Sequence, residues 1–319
     1  MNGSGTHLVV GAGEVGTAVA RQLAASGHDV VIVTRSGSGP VAARIRRVAA
    51  DASTVDALLA AAPTADVIYN CVNPPYDKWE ELWPPMAQAF LQYAERTGAV
   101  LATCSNLYGY GPVEVPMTED LPLAATGAKA RVRVRMWEEA KSLNDTGRIR
   151  ATEVRGSDYL CPGPQSMLGD RVMPRVLAGK GVQLIGDVDQ PHTWTAPADV
   201  ARTLITVATD PRGWGRAWHV PSNPPRSQRE AVADLAAAAG VRSPKVSTIP
   251  PFVLRALGLF QPVIRELKET DYQRERPYLL DDSAARDTFG LAPTPWTTLL
   301  AEQVAHYRDD SSQSELRVA

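Results

Sequence analysis

Apolar positions in the first half of the chain follow two alternating rhythms. Leu8 to Val10, Val30 to Val33, Ala65 to Cys71 and Val100 to Cys104 are short runs rich in β-branched residues with almost no polar face. Such runs are expected of parallel strands covered on both sides. Between them, apolar residues recur at helical spacing over Thr17 to Ala25, Ser53 to Ala62 and Glu80 to Thr97, where Leu82, Met86, Phe90 and Tyr93 share one face. Arg47 to Asp51 reads as a third short strand. A helix over Ala128 to Ser142 and a strand over Thr152 to Arg155 continue the alternation. The pattern predicts an α/β fold with a doubly wound parallel sheet. Beyond Pro164 the alternation loosens. Helices are expected at Met173 to Ala178, Pro197 to Thr209 and Gln228 to Gly240, and strands at Val182 to Ile185 and Ala217 to Val220. Ile249 to Thr270 reads as helical with a break at Pro262. This change of pattern predicts a first domain over 1–165 and a smaller C-terminal α/β lobe over 166–309, partly interleaved with the first. A polar tail over 310–319 is expected to fray.

The first strand runs straight into Gly11-x-Gly13-x-x-Gly16 and then a helix. Strand, glycine loop and helix in that order form the dinucleotide-binding fingerprint. Gly11 allows a sharp turn, Gly13 lets a pyrophosphate approach the backbone, and Gly16 lets the helix pack on the strand. Glu14 and Val15 open that helix, whose free N–H groups and positive dipole end would face the phosphates.

The end of the second strand selects the cofactor. An NAD site usually places a carboxylate there for the ribose hydroxyls. No Asp or Glu lies between Val30 and Arg44; the segment instead reads Thr34-Arg35-Ser36-Gly37. Arg35 suits a 2′-phosphate, with Ser36 adding a hydroxyl, so NADP is expected rather than NAD. Asp51 serves either the adenine amino group or the cap of the following helix. Cys71 and Asn73, after the fourth strand, fall on the nicotinamide ribose side. In an open parallel sheet ligands sit beyond the carboxyl ends of the strands. That makes Cys104, Ser105, Asn106 and Tyr108, and likewise Asp158 and Tyr159, candidates by position. His192 and Trp194 would join them from the lobe, or pack between the two domains.

Composition narrows the class. Of 319 residues, 44% are hydrophobic and 21% charged, enough for a sizeable core, and the formal net charge of -2 offers no field for nucleic acid or an anionic membrane. No apolar run is long enough to span a bilayer. The N-terminal residues lack a signal-peptide pattern, so a cytoplasmic location is the expectation. Three widely spaced cysteines indicate neither a disulfide framework nor a metal site.

Several segments together resemble the extended short-chain dehydrogenase/reductase superfamily, in its NAD(P)-dependent epimerase/dehydratase branch. They are VVGAGEVG, SNLYGYGP, TEDLPL, EVRGSDYLCPGP, HTWTAPADVAR and GRAWHVPSN, in the family's order to about residue 240. The resemblance implies a Rossmann sheet with a smaller C-terminal substrate lobe. It also implies a possible homodimer, to which the apolar positions of Glu80 to Thr97 would lend themselves. Three departures stand out. The usual GxxGxxG has Val10 at its first position. The family's catalytic Ser/Thr falls on Cys104. The Tyr-x-x-x-Lys pair is missing, since no tyrosine lies between Tyr110 and Tyr159. One alignment puts Lys129 at the tyrosine and Arg133 at the lysine; another leaves Lys129 as the lysine, with Ala125 for the tyrosine.

Three functions follow. The first is an NADP(H)-dependent oxidoreductase moving hydride to or from a small carbonyl or alcohol, with Lys129, Ser105 or Tyr108, or alternatively Tyr159, as substitute acid. In one form of it, water supplies the proton. The second is a nucleotide-sugar epimerase or dehydratase. The third is an NADP-binding sensor or scaffold without turnover.

Overall fold

The computed structural model describes residues 5–250, 252–254, 256 and 266–316. The chain begins β1 (Thr6–Val10), α1 (Glu14–Ala25), β2 (Asp29–Thr34), β3 (Ile45–Ala49), α2 (Val55–Ala61) and β4 (Val67–Asn70). It continues α3 (Trp79–Thr97), β5 (Val100–Asn106), α4 (Ala128–Asp145), β6 (Arg150–Gly156) and β7 (Asp158–Tyr159). Then come α5 (Met173–Leu177), β8 (Val182–Leu184), β9 (Trp194–Thr195), α6 (Pro197–Thr209), β10 (Ala217–His219), α7 (Gln228–Ala238) and β11 (Val246–Thr248). The last helices are α8 (Tyr272–Glu275), α9 (Ser283–Phe289) and α10 (Trp296–Leu316). The predicted Rossmann-like α/β fold is the one observed.

Seven strands form a parallel sheet in the order β10-β6-β5-β4-β1-β2-β3. The chain starts at β1, winds outward through β2 and β3, then returns to the other side at β4. The reversal between β1 and β4 is where the crossovers leave a crevice at the strand ends.

Side-chain alternation along the strands explains the unbroken apolar runs. Leu8 and Val10 join one core with α2, α3 and part of α4, while Val9 joins another with α1 and α6. Because successive side chains point to opposite faces, strands buried on both have no polar rhythm. Two prolines, Pro84 and Pro85, stand inside α3. Each forfeits a helical hydrogen bond, yet the helix continues, seated by buried Trp79, Trp83, Phe90 and Tyr93.

The lobe has its own core, in which α5, α7, α10, β8 and β11 bring together Leu168, Met173, Leu235 and Leu300. Segments from beyond residue 165 also build the main sheet and one of its cores. Helix α6 packs on α1, β10 closes one edge of the main sheet, and Phe289 of α9 meets Trp218 edge-on at 4.8 Å. The tail expected to fray from 310 is helical as far as Leu316. Much of the helical stretch expected between Ile249 and Thr270, including its break at Pro262, lies outside the described residues.

Candidate functional site

A cavity of about 420 Å³ opens along the carboxyl ends of β1, β2, β4, β5 and β6. That volume is within the range of small-ligand sites. Its floor is the glycine loop. Gly11 takes φ +100°, and a Cβ there would lie 2.5 Å from the Cys71 carbonyl oxygen. A Cβ on Gly16 would run into the Gly11 carbonyl. These two glycines hold strand, loop and helix together. Gly13 differs, because a Cβ there would meet nothing within 4 Å. Its open side faces the cavity, which it lines with Gly11, Glu14 and Val15. Gly13 caps α1 without any side-chain bond, so the first amides of the helix remain available to an anion. The residues therefore fit a dinucleotide pyrophosphate.

Arg35 lines the same cavity beyond β2, its guanidinium in no ion pair among the described residues. Ser36 does not line it; its hydroxyl donates to Ser38 Oγ at 3.1 Å. Asp51 is exposed and also outside the lining. Its Oδ1 accepts the Ser53 N–H at 2.9 Å, and that bond chiefly holds its carboxyl below the usual range. Asp51 thus shapes the turn before α2, whose cap is Thr54. The helix-cap role expected for Asp51 falls to Thr54. Cys71 and Asn73 line the cavity as expected, and burial pushes the Cys71 thiol well up.

The far end is aromatic and rich in hydroxyls. Cys104, Ser105, Asn106 and Tyr108 line it from the end of β5, and Asp158 and Tyr159 from the end of β6. Asn106 Oδ1 accepts the Tyr108 N–H at 3.1 Å, which fixes the turn out of the strand. The Tyr159 hydroxyl lies 3.7 Å from Cys104 Sγ. Burial raises the pKa values of Tyr108, Tyr159 and Tyr278 well above the ordinary tyrosine value, so all three hydroxyls stay protonated at neutral pH. The Arg133 charge opposes that rise at Tyr159. Asp158 behaves in the opposite way. Burial alone would raise its carboxyl, but the adjoining His192 ring and the Arg274 charge outweigh burial and hold it below the usual range.

His192 and Trp194, expected to touch substrate, lie behind this wall and not in it. His192 is buried with Nε2 3.1 Å from Asp158 Oδ2, out of line for a well-formed hydrogen bond, and is stacked on Tyr278 at 5.3 Å. Trp194 donates through Nε1 to the Arg226 carbonyl at 2.9 Å and packs into the lobe core.

Lys129 also departs from expectation. It is 4% exposed and does not line the cavity. Its ammonium pairs with Glu266 and, at 3.7 Å, with Glu269, and it lies over the Tyr76 ring. Glu269 Oε1 also accepts the Lys129 backbone N–H at 2.8 Å, placing a carboxylate at the start of α4. Arg133, one turn on, is the residue of the basic run that reaches the cavity. Tyr76, Trp79, Gln165, Gln273 and Tyr278 also line the cavity, and no sequence motif singles them out as site residues. Gln273 and Tyr278 come from a segment more than a hundred residues downstream of the tyrosines they face, and no local motif marks them.

The family model of the NAD dependent epimerase/dehydratase family matches residues 7–220, about two thirds of the chain. The chain belongs to that family. No curated protein matches it in sequence. Among solved structures, it is similar to an epimerase from Methanothermobacter thermautotrophicus, with TM-score 0.78, 16% identity and 97% and 94% of the two chains covered. It is similar to the UDP-glucose 4-epimerase of Thermotoga maritima, solved with UDP-glucose, with TM-score 0.77, 15% identity and 96% and 99% covered. It is also similar to the dTDP-glucose 4,6-dehydratase of Streptomyces venezuelae, solved with NAD, with TM-score 0.74, 21% identity and 97% and 98% covered.

Proposed function

We propose that this member of the epimerase/dehydratase family is an NADP(H)-dependent oxidoreductase acting on a small carbonyl or alcohol. The observation that carries the reading is one continuous cavity. It joins the Gly13 cradle and Arg35 at one end to buried, protonated tyrosines at the other. Arg35 in place of an acid after β2 supports a 2′-phosphate. Bound NADPH or NADP+ supplies or takes up hydride at its nicotinamide. The chain supplies the rest. Tyr159 holds a proton at its hydroxyl, Arg133 lends positive charge nearby, and the tyrosine and tryptophan rings keep water out.

Calorimetric titration with NADPH and with NADH tests the cofactor. Tighter NADPH binding is expected, followed by loss of the reduced-nicotinamide absorbance in a carbonyl panel. Equal affinities would remove the 2′-phosphate role. Binding without turnover on any substrate would favour a sensor or scaffold.

A second reading, a nucleotide-sugar epimerase or dehydratase, is supported by the ligands named for the neighbouring structures, UDP-glucose among them. Interconversion of a UDP- or dTDP-sugar with no net change in cofactor would establish it.

A further inference from the structure

Arg133 is a buried guanidinium with no carboxylate in ion-pair contact among the described residues; Glu153, whose charge favours it, is itself paired with Arg155 at 2.7 Å. Arg133 is 7% exposed and stands over Trp79 at 4.7 Å and Trp83 at 4.3 Å. Its hydrogen bonding amounts to one long donation from Nη1 to the Cys104 carbonyl at 3.4 Å, and its Nε, sealed from solvent, has no partner. A charge taken out of water in this state is costly, and buried charges are ordinarily paired. The contrast with Lys129 is direct. One turn away, a buried ammonium is met by two carboxylates. Arg133 is met by two indoles and a cavity.

The indoles do more than offset the charge. Trp79 is fixed by its own Nε1 bond to the Pro74 carbonyl at 3.1 Å and by stacking on Tyr108 at 6.1 Å. A guanidinium held against fixed rings is a planar fork with its orientation set, the geometry that receives a carboxylate through two parallel hydrogen bonds.

The sheet order says which ligand meets it. Arg35 follows β2, and Arg133 lies at the end of β5. Those strands are separated by β1 and β4, hence by three strand spacings or about 14 Å. A dinucleotide whose 2′-phosphate is on Arg35 has its pyrophosphate at the glycine loop, at the end of β1 between them. Arg133 is left to the reacting end.

From this geometry we infer that the substrate carries a carboxylate, and that Arg133 clamps it beside Tyr159 and Cys104. The inference rests on the oxidoreductase reading, and it names the substrate class: small oxo or hydroxy acids, not neutral carbonyls.

The test uses the whole chain saturated with NADP+, with acetate, benzoate and oxalate as probes against their neutral methyl esters and against inorganic phosphate. Binding is followed by calorimetry and by quenching of tryptophan emission, to which Trp79 and Trp83 contribute. At least one carboxylate should bind at least tenfold tighter than its ester and than phosphate. Arg133→Gln should lose that preference while NADPH affinity stays within about twofold. Arg133→Lys, which keeps charge but not the fork, should retain part of it. Esters binding as well as acids, phosphate binding best, or a loss of NADPH affinity in Arg133→Gln matching any loss of carboxylate would each overturn the assignment. The wild-type comparison stands even if a variant does not fold. Should the wild type bind no NADPH, the oxidoreductase reading fails on its own, and the same comparison in the cofactor-free protein still decides Arg133.

Discussion

The Tyr159 hydroxyl lies 3.7 Å from the Cys104 thiol, across the ends of two adjacent strands. Cys104 stands where the family resemblance implies a Ser or Thr, and Tyr159 approaches it from β7 and not from a helix. If this pair moves the proton, Tyr159→Phe lowers turnover at least tenfold with NADPH affinity unchanged. Tyr108→Phe serves as the comparison, its ring being stacked on Trp79 at the same end of the cavity. Steady-state kinetics at saturating cofactor decide between them. Equal, small losses would return the proton to water.

The glycine loop offers a separation of binding from folding. Gly13→Val projects into open space, so its melting temperature should stay within a few degrees of wild type while NADPH binding is lost. Gly16→Ala meets the Gly11 carbonyl. It should instead cost stability, on the order of 1–3 kcal/mol, as overpacking does. Thermal melts alongside calorimetry read both. A Gly13→Val protein that binds normally would remove the pyrophosphate from this loop.

At the other end of the cofactor site, Arg35→Asp should weaken NADPH by at least tenfold and leave NADH within about threefold, since a charged hydrogen bond is worth about 1.5–3 kcal/mol. Competition binding measures the ratio. Parallel losses for the two nucleotides would show that Arg35 supports the loop and not the 2′-phosphate.

Lys129→Met tests a structural role. It removes the ammonium that pairs with Glu266 and Glu269. Breaking a fully buried pair costs about 3–5 kcal/mol, but these carboxylates are 29% and 22% exposed. Solvent screening should reduce the loss to about 2 kcal/mol. Denaturant melts should show it, with kcat within about threefold of wild type. A tenfold fall in kcat at unchanged stability would restore Lys129 as the acid.

Acid should destabilise the fold through two histidines. Burial lowers both His7 and His219 to about 4, helped by the His28 charge at His7 and by the Arg155 charge at His219. The unfolded chain, titrating near 6.5, takes up protons first as pH falls. Their contribution is therefore full above about pH 6.5, lost progressively down to about 4, and level below. At about 1.4 kcal/mol per pH unit, each is worth up to about 3 kcal/mol. His219 Nδ1–H donates to the Asp281 carbonyl at 2.7 Å, so its Nε2 accepts at 2.8 Å from the Tyr110 hydroxyl, which in turn accepts from Arg155 at 2.6 Å. Urea melts between pH 7 and 4.5 should fall with pH, and His219→Gln should flatten the slope. A parallel slope in the variant would assign the effect elsewhere.

The order of strands and helices, the glycine loop and the acid-free end of β2 were all legible in the sequence. Each rests on short-range physics. Apolar period reports burial on one face or two, and a positive φ or a close backbone approach demands glycine where it occurs. Arg133 and Lys129 show where that reach ends. They share one helix, one spacing and one basic run, and the alphabet alone gives no reason to separate them. The tertiary structure does. Glu266 and Glu269, some 140 residues away, take Lys129, while Trp79 and Trp83 from the preceding helix take Arg133 and turn it to the cavity. Asp158 and His192 likewise meet only because β7 pairs with β9, and Tyr278 reaches His192 through a lone bridge. Charge and burial at these positions depend on which distant segments arrive, and no local pattern encodes that arrival.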